Sequence, residues 1–97
     1  MEEQLTKITG WVGRGTLRQF RNEVKGNLAD SGYTVEVEGD ALRFYRTHKE
    51  GGFLGIGAKT IKELVLEVTR EGKNVEVSSE PRDPEFIQYL AGILIQH

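Results

Sequence analysis

Apolar residues recur along this chain in two rhythms, and the changes between them mark its elements. Between Thr16 and Gly32, residues Leu17, Phe20, Val24 and Leu28 follow at spacings of three and four, which stacks them into one stripe of an amphipathic helix. Thr16 and Gln19 stand at capping-box spacing before it, and Gly32 suits the left-handed residue just beyond it, with Tyr33 folding back onto Leu28. The rhythm then changes to two. Tyr33, Val35 and Val37 alternate with Thr34, Glu36 and Glu38, Gly39-Asp40 supplies a two-residue hairpin, and Ala41–Thr47 returns with Leu42 and Phe44 on the inner face. Leu64, Leu66 and Val68 alternate with Val65, Glu67 and Thr69. Ile61 is out of phase with the inward set, which predicts a bulge or bend between Thr60 and Leu64. A turn over Arg70–Lys73 leads to a further inward pair, Val75 and Val77.

Two terminal segments complete the pattern. Leu5–Val12 sets Thr6, Ile8, Gly10 and Val12 against Leu5, Lys7, Thr9 and Trp11, an alternation that predicts a first strand weakened by Gly10. After Pro81, Asp83 as cap, Pro84 at the first helical position and Glu85 at the positive end of the dipole predict a second helix. Phe86, Ile87, Leu90, Ala91, Ile93, Leu94 and Ile95 make that helix apolar over more than half its circumference, beyond what a one-sided surface helix needs. The predicted fold is α+β in the order β-α-β-β-β-β-α, a mostly antiparallel sheet with a wet face and two helices on the other face. No repeat or linker divides it, so residues 1–97 read as a single domain.

Composition narrows the function classes. Hydrophobic residues at 37% and charged residues at 29% are ordinary for a globular chain. The absence of cysteine excludes disulfides and thiolate metal sites. No apolar run approaches the ~18 residues of a membrane span, and the acidic Met1–Gln4 is the opposite of a signal peptide, so a cytoplasmic protein without a membrane partner is expected. The formal charge of −2 disfavours strong electrostatic capture of nucleic acid. His48 stands in a polar hairpin end and His97 is the final residue, neither at triad or metal-site spacing, so no catalytic residue, metal or cofactor is assigned.

The most unusual stretch is Gly51-Gly52-Phe53-Leu54-Gly55-Ile56-Gly57, four glycines interleaved with three large apolar side chains. With a strand ending in Thr9-Gly10, an amphipathic helix, the alternating Val35–Glu38 and the continuation Ala58-Lys59, it resembles the N-terminal domain of Jag-type bacterial RNA-binding proteins. The resemblance runs from about Ile8 to Val68. It implies a shared β-α-β-β fold element and a scaffolding role; in that family, KH-type modules further along the chain contact nucleic acid.

The reading favoured by these features is a non-catalytic interaction domain that self-associates as a homodimer or docks on a protein partner. Phe53, Leu54, Ile56, Ile87 and Ile95 would form the contact, because apolar side chains left in water favour a two-fold pairing. A second reading is an RNA-associated module using Arg14, Arg18, Arg21 and Lys25 on the wet side of the first helix, with Trp11 or Tyr45 stacking on a base. A third is a hydrophobic-ligand binder in which the C-terminal helix closes over the sheet.

Overall fold

The computed structural model describes residues 2–28, 31–50 and 59–95. Among these residues are three helices and one four-stranded antiparallel sheet: α1 (Glu2–Val12), α2 (Leu17–Leu28), β1 (Tyr33–Glu38), β2 (Ala41–Glu50), β3 (Lys59–Glu71), β4 (Asn74–Val77) and α3 (Pro84–Ile95). The strands lie in sequence order, β1-β2-β3-β4, so each connection is a hairpin. This is the α+β class with the expected sheet. Its second to last elements follow the expected order.

The first element differs. Leu5–Val12 is helical, not a strand. Ile8 and Val12 share a face in either conformation, so the alternation was ambiguous, and the neighbouring residues decide it. The helix puts Leu5 with Ile8 and Val12 on the core and leaves Thr6 and Gly10 exposed. Glu2 and Glu3 lie in its first turn, where the dipole favours acids. The threonines bond within the helix, Thr6 Oγ1 to the Glu2 carbonyl at 2.9 Å and Thr9 Oγ1 to the Thr6 carbonyl at 3.0 Å. Arg70, on β3, donates to the Val12 carbonyl at the helix C-terminus at 3.3 Å.

The other helix ends follow their local chemistry. Thr16 N donates to Gln19 Oε1 at 2.9 Å and Gln19 N to Thr16 Oγ1 at 3.1 Å, a reciprocal capping box. Asp83 Oδ1 accepts from Glu85 N at 3.0 Å and Phe86 N at 3.4 Å, capping α3 ahead of Pro84. Gly32, at φ +86°, ends the α2–β1 link in a conformation that side chains resist.

The sheet register explains how α3 finds its place. Phe44 opposes Leu66 but its neighbour Tyr45 opposes Leu64, so Val65 is the extra residue of a β-bulge. The bulge thus lies just beyond the expected stretch, between Leu64 and Leu66. It exchanges two expected positions: Val65 is buried, while Leu64 is half-buried beside Tyr45 on the outer face. The Val65 carbonyl, freed from the regular ladder, accepts from Asp83 N at 3.1 Å and so ties the start of α3 to the sheet. Arg46 pairs with the Asp83 carboxylate from the neighbouring strand.

Phe44 meets both Phe20 of α2, at 6.3 Å between ring centres, and Phe86 of α3, at 5.1 Å. One side chain touching both helices places them on the same face of the sheet. Helix α1 then packs on α3 and reaches α2 and β4. Phe86, Ile87 and Leu90 are fully buried, and Ala91 and Leu94 nearly so. The apolar surface formed by these five residues of α3 is therefore covered within one chain.

If α1 is docked as described, Ile8→Ala should cost about 2–5 kcal/mol by leaving a cavity against α3. Lys7→Ala, one position along, should stay within about 0.5 kcal/mol. Denaturant melts of the two variants check this, and a reversed order would place the wrong face of α1 on the core.

Candidate functional site

Where the chain can meet a partner is decided by which surfaces the fold leaves unfinished. The outer face of the sheet is largely self-contained. Arg43, on β2, bridges Glu38 of β1 and Glu67 of β3, and Glu67 also accepts from Ser78 Oγ at 3.0 Å. Lys62 reaches Glu36 at 2.8 Å and lies over the Tyr45 ring. The Arg43 guanidinium and the Lys62 ammonium are both held above their ordinary pKa values, first by the hydrogen bonds to Glu67 and Glu36 respectively. These are partly exposed pairs, each worth little to stability. Their effect is to neutralise Glu36, Glu38 and Glu67.

The edge of β1 is different. The Thr47 amide donates to the Gly32 carbonyl at 2.7 Å, which makes Gly32 and Thr47 a hydrogen-bonded pair of the antiparallel ladder. Alternation then makes Thr34–Tyr45, Glu36–Arg43 and Glu38–Ala41 the next bonded pairs. Tyr33, Val35 and Val37 therefore turn their backbone groups away from β2. Tyr33 N is taken by Ser31 Oγ at 3.3 Å. β1 has no neighbour on its outer side, so among the described residues the N–H and C=O of Val35 and Val37 have no ladder partner.

Helix α2 packs on β1 and walls this edge. Between them runs a groove of about 520 Å³, lined by Arg21 and Lys25 of α2, by Thr34–Glu38 of β1 and by Lys62. The two acids in it, Glu36 and Glu38, are paired with Lys62 and Arg43. Arg21 and Lys25 have no carboxylate partner among the described residues. Arg21 donates through Nη2 to Asn22 Oδ1 at 3.2 Å, but its Nε is shielded from solvent and has no partner. A shielded N–H without an acceptor is costly and uncommon in folded proteins.

The residues singled out from the sequence fall in several places. Ile87 and Ala91 are buried in the core, so they are not available to a partner. Ile95 ends α3, and its side chain, like Phe53, Leu54 and Ile56, lies outside the described residues. The space between α3 and the sheet is filled by α3's own side chains, with Phe86 against Phe44 and Tyr33.

Three of the four cations, Arg18, Arg21 and Lys25, follow on α2 at spacings of three and four, while Arg14 precedes the helix. Arg14 lies in the α1–α2 turn beside Trp11, at a cleft of about 160 Å³. Arg18 is exposed on α2. Only Arg21 and Lys25 meet in the β1 groove. Trp11 stacks edge-on against Phe20 at 6.1 Å and is half-buried. His48 is exposed on β2. Among the described residues no group of acidic or histidine side chains is placed to hold a metal, and no helix is long and apolar enough to cross a membrane. The sequence pattern found Arg21 and Lys25 but gave no sign of the open strand edge beside them. That edge follows from Leu5–Val12 being helical, which leaves β1 as the first strand of the sheet.

No protein-family model, curated protein or solved structure matches this chain.

If Arg21 and Lys25 serve binding and not folding, Arg21→Gln and Lys25→Gln should each change stability by no more than about 0.5 kcal/mol. Chemical denaturation measures this directly. A loss several times larger for Arg21→Gln would make its guanidinium a structural element of the α2–β1 contact.

Proposed function

We propose that this chain is a non-catalytic protein-interaction domain that receives an extended segment of a partner protein as an added strand along β1. The observation that carries this reading is the row of outward backbone groups at Val35 and Val37 in a groove walled by α2. An exposed strand edge is a template for pairing with another chain, and strand addition supplies affinity through main-chain hydrogen bonds and specificity through alternate side chains. Stable folds usually blunt such an edge. Here the flanking side chains leave it reachable, since Glu36 and Glu38 are drawn onto the sheet face by Lys62 and Arg43.

The burial of Ile87 removes one side chain of the expected apolar contact, and among the described residues Tyr89, 41% exposed, is the one exposed large apolar side chain. RNA association through Arg14, Arg18, Arg21 and Lys25 would need a continuous basic face. Arg21 and Lys25 line the β1 groove, where an extended peptide could also use the main-chain groups of the strand edge.

The test combines peptide selection with one backbone substitution. Peptides selected from a random displayed library should shift the Val35 and Val37 amide resonances of the parent protein. Val37→Pro removes an outward N–H without breaking a bond to β2, a position at which an edge strand tolerates proline. It should keep the fold by circular dichroism and weaken the selected peptides about tenfold, the scale of one or two lost hydrogen bonds. Failure to select any binder, or binders that leave the Val35 and Val37 amides unmoved, would contradict the proposal. Concentration-dependent shifts of the same amides without peptide would make the occupant a second copy of the chain.

A further inference from the structure

Resting on the strand-addition reading, the geometry points to the chemistry of the segment that fits: we infer that it carries carboxylates at alternate positions, on the side facing α2. Arg21 and Lys25 are four residues apart on α2, one above the other, and both line the groove. Four helical residues rise about 6 Å. Two residues of an extended strand advance about 6.6 Å, and side chains two apart point to the same face. A strand added along Val35 and Val37 thus places every second side chain under α2, at the spacing of the two cations.

The two faces of the added strand meet opposite chemistry. On the helix side, Arg21 and Lys25 have no carboxylate partner among the described residues, and the shielded Arg21 Nε lacks an acceptor. A peptide carboxylate in the groove would pair with the positive charges of Arg21 and Lys25. On the sheet side, the neighbours are Glu36, Glu38 and Thr34, with Lys62 already engaged by Glu36. Acids on that side would face the existing carboxylates, so uncharged residues belong there. The recognised pattern is therefore an extended stretch with acids at every second position and neutral residues between, not a uniformly acidic run. The protein's net charge of −2 keeps this selectivity local, because the domain as a whole does not attract acidic chains.

Three synthetic peptides and one RNA probe test this against the whole chain. The first peptide alternates threonine and glutamate, the second alternates threonine and glutamine, and the third is all glutamate. Binding is followed by amide shifts, with affinity measured at low and at physiological salt. The alternating acidic peptide should shift the Val35 and Val37 amides and bind about tenfold more tightly than its glutamine counterpart, the scale of one charge-assisted hydrogen bond. That advantage should shrink with salt and disappear in the Arg21→Gln, Lys25→Gln double variant, whose binding to the glutamine peptide should be unchanged. Equal binding of the acidic and glutamine peptides, with Val35 and Val37 still shifted, overturns the charge inference and leaves strand addition standing. Tighter binding by the all-glutamate peptide overturns the alternation. If neither alternating peptide moves Val35 and Val37, both readings fail. A single-stranded RNA oligonucleotide that binds through α2 without moving β1 likewise overturns both, in favour of RNA association.

Discussion

The burial of α3 is the contact on which the rest of this structure depends. A helix that is apolar around most of its surface is stable in water only if covered on more than one side. The sheet covers one side, through Phe44, Leu66 and Val65, and α1 covers another through Ile8 and its neighbours. Each side needs its own anchor. Asp83 sets the start of α3 by its bond to the Val65 carbonyl at the bulge and its pairing with Arg46, and Arg70 fixes the end of α1 by bonding the Val12 carbonyl. The line of rings from Trp11 through Phe20, Phe44, Phe86 and Tyr33 to Tyr89 carries that packing across the domain.

Side chains that look surplus when α3 has one apolar neighbour become core once it has two. Among the described residues, what remains unfinished is backbone: the outer edge of β1, which a sheet laid down as successive hairpins leaves without a neighbour. The helix that packs on this strand brings two cations to the same groove. Main-chain hydrogen bonding and a local charge pattern are then the two features that a partner can use.

Features set by a few adjacent residues were legible in the sequence. The Thr16–Gln19 capping box and the Asp83-Pro84 helix start depend on side chains reaching nearby backbone, the Gly39-Asp40 hairpin on glycine's tolerance of positive φ, and each forms. Leu5–Val12 was not legible, because so short a segment fits both rhythms at Ile8 and Val12, and the deciding contact with α3 lies at the other end of the chain. The bulge was signalled by the phase slip at Ile61. Its place at Val65 depends on which β2 residues it opposes. Likewise, Arg21 and Lys25 were visible as cations of α2, but their meeting with an open strand is a matter of sheet order. That order is fixed only when all four strands assemble.

The most direct measurement is amide hydrogen exchange along β1 in the free protein. An open edge predicts alternation: the Thr34 and Glu36 amides, bonded to β2, exchange slowly, while those of Val35 and Val37 exchange at rates close to solvent-exposed amides. Equal protection of all four would mean that another strand already covers this edge, and would contradict the account.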